Sequence, residues 1–115
     1  MKIRIKGNAI RYRLSKNDVS IFRKSGYIEE ITDFGDQIFT YALQKGEQTD
    51  LKASFVNNTM TLFIPSAMII EWERPDRIGF EGYDGKLLIL IEKDFQCLDN
   101  VAEDQSDNYP NPNGC

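Results

Sequence analysis

The fold is decided first by the stretch KIRIKGNAIRYRL (Lys2–Leu14), in which cations and apolar residues alternate. A period of two indicates strands with one buried face, and Gly7-Asn8 in the middle favours a two-residue turn. The stretch therefore predicts a β-hairpin. Its apolar face consists of Ile3, Ile5, Ile10, Tyr12 and Leu14. Its other face, called the basic hairpin face below, consists of Lys2, Arg4, Lys6, Arg11 and Arg13.

The rest of the chain carries similar local signals. Ser15 and Asp18 are typical of a helix capping box, which predicts a short helix over about 16–25. Pro65 opens a second short helix and Pro75 ends it. Further hairpin turns are indicated at three pairs of small polar residues: Gly35-Asp36, Asn57-Asn58 and Asp84-Gly85.

The predicted order strand–strand–helix–strand–strand occurs twice, over about 2–44 and 52–94, with an offset of fifty residues. Identical residues stand at four such pairs of positions: Lys2/Lys52, Asn8/Asn58, Ile28/Ile78 and Gly35/Gly85. Chance alternation is the other explanation, because identities are few. We expect a single duplicated α+β domain over 1–98, mainly antiparallel. The duplicated ββαββ unit would form a pseudo-twofold barrel or sandwich with two short helices. The run LLILI (Leu87–Ile91), apolar on both faces, predicts the most central strand.

The net charge of -4 hides a strong asymmetry along the chain. Residues 1–26 carry eight bases and one acid, whereas the other 89 residues carry six bases and seventeen acids. The tail over 99–115 has no base and is rich in proline and asparagine. Its acids are Asp99, Glu103, Asp104 and Asp107. We expect this acidic tail to dock on the domain, with its carboxylates facing Arg4, Arg11 or Arg13 and with Val101 and Tyr109 as apolar anchors.

Composition excludes several classes of function. The absence of histidine excludes histidine-based triads and histidine-ligated zinc. No apolar run approaches the roughly 18 residues of a membrane span, so no membrane partner is expected. Glu92, Asp94 and Asp99 form a loose carboxylate group that could bind Mg²⁺ or Ca²⁺. The group lacks the spacing of a dedicated calcium loop, and Cys97 has no histidine to activate it. We therefore predict no catalytic residue, metal or cofactor.

Motifs at both ends resemble an uncharacterised bacterial family of similar length, a domain of unknown function. They are KIRIKGN (Lys2–Asn8), EKDFQCL (Glu92–Leu98), Glu103-Asp104, Asp107 and PNPN (Pro110–Asn113). The resemblance spans the whole chain. It implies a small cytoplasmic bacterial protein and brings no activity with it.

A shorter stretch, IPSAMIIEWERPDRIGFEGYDGKLLILIEKD (Ile64–Asp94), resembles the swapped-hairpin DNA-binding domains of bacterial transition-state regulators and antitoxins. The shared pattern is a strand ending in Ile-Pro, a short helix, and a hairpin around Asp-Gly. The resemblance implies a topology. It does not carry DNA binding with it, because the second half is acidic where a DNA-binding repeat would carry arginines.

Two functions from different classes follow from these observations. The first is a non-catalytic binding module whose basic hairpin face takes an anionic ligand or an acidic protein surface. Nucleic acid is a weaker possibility, because no nucleic-acid motif accompanies the cations. The alternative is a small barrel enzyme in which Arg4, Arg11 and Arg13 bind a phosphate-bearing substrate and Glu92 or Asp94 holds a metal. Cations that point into a barrel would favour the enzyme, and cations on an open outer face would favour the binding module. Oligomeric state is left open.

Overall fold

A computed structural model describes residues 1–95, Asp107, Tyr109 and Pro110. The described residues form eight strands and two helices, in the order expected from the sequence. In chain order these are β1 (Lys2–Lys6), β2 (Ala9–Leu14), α1 (Lys16–Ser25), β3 (Tyr27–Asp33), β4 (Ile38–Gly46), β5 (Lys52–Val56), β6 (Thr59–Pro65), α2 (Ser66–Glu71), β7 (Gly79–Asp84) and β8 (Leu87–Lys93).

The strands form two four-stranded sheets rather than a closed barrel. The first sheet has the order β1-β2-β8-β7, and the second has the order β3-β4-β6-β5. The four hairpin pairs are antiparallel, as expected, but the central pairs β2/β8 and β4/β6 are parallel. Each sheet is therefore mixed, and the barrel alternative was wrong. The two apolar faces are covered by packing the sheets against each other, which needs no strand pairing across their edges.

Each sheet combines one hairpin from the first half of the chain with one from the second half. The hairpin registers agree at the offset of fifty seen in the sequence. In the first hairpin Lys2 pairs with Arg13. Fifty residues later, Lys52 pairs with Phe63. The parallel pairs differ, since the pairing of Thr40 with Thr59 is not reproduced at the same offset in the first sheet.

The core lies between the two sheets, and α1 and the segment after α2 lie next to each other, joined by the Arg23–Glu73 ion pair. Tyr12, which is fully buried, donates a hydrogen bond from its hydroxyl across the core to the carbonyl of Met60 at 3.3 Å. Phe22 of α1 and Trp72, which follows α2, are likewise buried. The apolar face predicted for the first hairpin thus contributes to this core, except that Ile5 near the turn stays 58% exposed.

Helix α1 begins and ends as its sequence predicts. The Ser15 hydroxyl accepts a hydrogen bond from the Asp18 backbone N–H, and the Asp18 carboxylate accepts one from the Ser15 N–H. Gly26 ends the helix with φ of 76°, a left-handed conformation that favours glycine. Among the described residues, no helix is long and apolar enough to cross a membrane.

Candidate anion-binding face

The basic hairpin face lies on the outer side of the first sheet. Antiparallel pairing sets Lys2 opposite Arg13 and Arg4 opposite Arg11. These side chains point away from the core because successive residues of a strand alternate between its two faces. Like charges opposite each other on paired strands repel, at a cost of about 0.2–1 kcal/mol per pair. The structure shows two ways in which this repulsion is reduced.

Two carboxylates, one in β8 and one in the residue after it, reduce the repulsion between these cations. Parallel pairing sets Glu92 beside Arg13. The Glu92 Oε1 atom lies 3.1 Å from the Arg11 Nε atom and 3.8 Å from the Arg13 Nε atom. Arg11 Nε has no aligned hydrogen-bond acceptor among the described residues, so its contact with Glu92 is an ion pair without good hydrogen-bond geometry. The Asp94 Oδ2 atom lies 3.1 Å from the Lys2 Nζ atom.

Exposure to solvent also reduces the repulsion, because water screens the charges of the remaining cations. Arg4 and Lys6 have no carboxylate within ion-pair distance in the described part of the chain, and both are exposed. Together with Arg11 they line a surface groove of about 310 Å³. The other lining residues are Ala9, Glu81, Leu88 and Leu90. The groove thus has three cations at one side, apolar side chains from the adjacent strands, and one acid.

The tail residues that the structure describes dock at a different place. The Asp107 carbonyl accepts a hydrogen bond from the Lys16 N–H at 3.0 Å, and its carboxylate accepts one from the Asn17 N–H at 3.2 Å. Asp107 therefore binds the first turn of α1, where unpaired N–H groups and the helix dipole favour an anion, rather than the predicted arginines. Docking of Asp99, Glu103 and Asp104 on the basic hairpin face concerns residues outside the described part and stays a prediction, as does the role of Val101.

Tyr109 contacts the body of the protein next to Asp107. Its backbone N–H donates to the Asp94 carbonyl at 2.7 Å. Its ring meets the Phe95 ring edge-on, with 6.0 Å between the ring centroids. The Lys93 Nζ atom lies 4.9 Å from the centroid of the same ring. Burial raises the pKa of the Tyr109 hydroxyl. The expected apolar contribution of Tyr109 to docking is thus present, but at the end of β8.

The residues of the alternative enzyme are placed differently from what that hypothesis needs. The sheets do not close into a barrel, and Arg4, Arg11 and Arg13 lie outside the core. Glu92 faces two arginines and Asp94 faces Lys2, so their charge is already compensated. Over residues 1–95 and the three described tail residues, no group of three potential ligands could hold a metal ion. Cys97 and Asp99 lie outside the described residues.

Two parts of this face were missed by sequence reasoning. Glu92 was considered as a metal ligand, whereas the structure sets it between Arg11 and Arg13. Leu88 and Leu90 were assigned to burial, yet they line the groove. Both follow from the parallel pairing of β2 with β8, which joins residues far apart in the sequence. The apolar run of β8 indicates an interior strand, but it does not indicate which strand pairs with β8.

Comparison with known proteins agrees with the resemblance noted from the end motifs. No curated protein and no solved structure matches the chain. A family model described as a family of unknown function (DUF7009) matches residues 1–113. Since that match spans nearly the whole sequence, the chain belongs to this family of unknown function.

Proposed function

We propose that this protein is a non-catalytic binding module whose basic hairpin face binds an acidic segment of a partner protein. The observation that carries the proposal is the pair Arg4 and Lys6, which line a groove without a carboxylate partner among the described residues. Five cations on this face are opposed by three acids, Glu81, Glu92 and Asp94, which leaves a net positive charge. Such a surface attracts anions and accelerates their encounter.

The composition of the groove favours a peptide over a nucleic acid. Leu88 and Leu90 give it an apolar part that suits side chains between acidic residues. Glu81 in the groove and Glu92 beside it would repel a continuous phosphate backbone. An acidic segment can place its carboxylates against Arg4 and Lys6 and its apolar side chains against the leucines. The resemblance implies that this interaction would take place in a bacterial cytoplasm.

The proposal is tested by fluorescence anisotropy with a labelled peptide of glutamate and leucine, and with a random-sequence DNA duplex. We expect the double variant Arg4→Gln/Lys6→Gln to weaken peptide binding by about tenfold, because it removes two charge-assisted contacts. The matched control is Lys24→Gln/Lys45→Gln, which changes the net charge equally at exposed positions elsewhere. The control should change the affinity by less than about twofold, and added salt should weaken binding by the wild type.

Three results would overturn this function. Equal losses in the two double variants would mean that overall charge, not this face, attracts the peptide. Absence of peptide binding at low salt would remove the interaction altogether. Tighter binding of the duplex than of the peptide, with a log–log salt slope near -0.9 for each phosphate contact, would assign the face to nucleic acid instead.

We also infer that the fold is a duplicated ββαββ unit related by a pseudo-twofold axis. The shared offset of the hairpin registers supports this, since chance alternation would not require equal pairing in both halves. The exchanged hairpins support it as well, because the two halves contribute equivalent strands to the two sheets. An alignment of family members in which the halves match at varying offsets would argue against duplication.

A further inference from the structure

A second cavity, of about 490 Å³, lies at the other end of β8 from the groove. Its wall includes Trp72, Lys93, Phe95 and Tyr109, and its rim includes Arg23 and Glu73. Arg23 and Glu73 form an ion pair with each other. This size lies within the range of about 300–1,000 Å³ that is typical of small-molecule sites. This cavity shares no lining residue with the groove of the basic hairpin face.

Trp72 gives the cavity a buried hydrogen-bond donor that has no acceptor among the described residues. The residue is 1% exposed, and its ring meets the Phe80 ring edge-on, with 5.7 Å between the ring centroids. Its indole Nε1–H has no hydrogen-bond partner in the part of the chain that the structure describes. Buried N–H groups are nearly always paired, because an unpaired one has lost its hydrogen bonds to water without replacement. An acceptor from outside the protein would satisfy this donor.

Lys93 gives the same cavity a buried positive charge. The residue is 5% exposed, and its Nζ atom donates to the Arg74 carbonyl at 3.1 Å. No carboxylate lies within ion-pair distance of it among the described residues. Burial lowers the pKa of the Lys93 ammonium, and the charge of Asp76 offsets part of this effect. A buried cation of this kind is stabilised by an anion that enters the cavity.

The remaining wall is aromatic. Phe95 and Tyr109 present two rings that meet edge-on, and the Tyr109 backbone is held by its hydrogen bond to the Asp94 carbonyl. Flat apolar molecules pack well against such rings, which favour offset or edge-on arrangements. The cavity therefore combines two polar donors with an apolar wall, the usual composition of a site for an organic anion.

We propose that this cavity binds a small carboxylate with an aromatic or apolar body. Its carboxylate accepts hydrogen bonds from Trp72 Nε1–H and from the Lys93 ammonium, and its body packs against Phe95 and Tyr109. The site is separate from the basic hairpin face, so it can hold whether or not that face binds a peptide. Arg23 contributes little, because Glu73 already neutralises it.

The test uses the indole N–H signal of Trp72, which is the single tryptophan of the sequence. The full chain, labelled with ¹⁵N, is titrated by NMR with benzoate and separately with benzyl alcohol, its uncharged analogue. We expect benzoate to move the indole signal saturably and to bind at least about tenfold more tightly than the alcohol. Lys93→Met should remove most of that preference, whereas Lys86→Met, at the exposed β7–β8 turn, should leave it unchanged.

A measurement on the wild type keeps the proposal falsifiable if Lys93→Met does not fold. Nuclear Overhauser effects between the ring protons of benzoate and the Trp72 indole N–H or the Tyr109 ring should appear in the complex. Their absence, or a signal that does not saturate, would overturn the site and assign the indole to water. Equal binding of benzoate and benzyl alcohol would overturn its preference for an anion.

Discussion

Replacement of Gly79 by alanine is expected to destabilise the first sheet strongly. Gly79 begins β7 and pairs with Glu92 of β8. A Cβ atom at position 79 would overlap the Ile91 carbonyl oxygen and would lie 2.8 Å from the Glu92 Cα atom. Since close C···O contacts in sheets are about 3.3–3.6 Å, the strands would have to separate by roughly 1 Å. Both obstacles are backbone atoms of an interior strand, which cannot move without loss of hydrogen bonds.

We expect Gly79→Ala to lower the free energy of unfolding by about 3 kcal/mol, at the upper end of the usual cost of overpacking. Gly82→Ala on the same strand is the matched control, because its Cβ would meet the Leu51 side chain at 3.6 Å, an ordinary contact. The control should be neutral or stabilise by about 0.5 kcal/mol, since alanine loses less backbone entropy on folding. Urea denaturation followed by tryptophan fluorescence measures both changes.

Two results would refute this reasoning. One is a loss below about 0.5 kcal/mol in Gly79→Ala, which would mean that β7 and β8 separate freely. The other is an equal loss in Gly82→Ala, which would mean that any side chain in β7 is harmful. Gly79→Ala should also change the basic hairpin face, because its Cβ atom would lie 3.0 Å from the Glu92 Cγ atom. Glu92 lies beside both Arg11 and Arg13 and offsets part of their charge.

Three further predictions concern the cap of α1 and two titrating groups. Ser15→Ala removes the acceptor of the Asp18 N–H and should cost about 1 kcal/mol in urea denaturation; an unchanged midpoint would contradict the cap. Burial raises the pKa of the Tyr12 hydroxyl above its ordinary 10.0. The unfolded chain therefore releases this proton first, and stability should fall as the pH rises above about 10, less steeply in Tyr12→Phe. For the Met1 amine, burial lowers the pKa, but hydrogen bonds to carboxylates, including Asp18, raise it overall. Asp18→Asn should therefore lower the amine pKa measured by NMR titration, and an unchanged value would exclude the ion pair.

Local structure was predictable because its signals are local. Alternation predicted the strands, and the turn residues adopt the backbone conformations that their types favour. Asn57 and Asn58, for example, have φ of 53° and 60°, as a tight hairpin turn requires. The capping box of α1 is equally local, since both of its hydrogen bonds join residues three positions apart.

The arrangement of the strands was less predictable. Alternation in β2 indicates one buried face, but it does not say whether the strand lies at an edge or inside a sheet. The structure places β2 between β1 and β8, with Arg11 and Arg13 still directed outward. The apolar run of β8 did indicate an interior strand, and β8 lies between β2 and β7. Parallel pairing of the two was not indicated, because it depends on how the halves pack together.

The same limit applies to the candidate site. The outward direction of the five cations followed from the period of two. The contact of Glu92 with Arg11 and Arg13 did not, since it depends on the register between strands that are distant in sequence. Asp107 was assigned to the arginines by charge alone. At short range, the unpaired N–H groups of Lys16 and Asn17 gave its oxygens hydrogen bonds that charge attraction at the surface does not provide.

The exchange of hairpins between the sheets has a consequence for how the chain folds. Strands β3, β4, β6 and β5 of the second sheet are contiguous in the sequence, so this sheet needs only short loop closures. The first sheet needs residue 9 to reach residue 88, at opposite ends of the domain. Because closing a longer loop costs more entropy and slows folding, the second sheet should form first, during synthesis of the chain. The first sheet, and with it the basic hairpin face, is then completed only after β8 has left the ribosome.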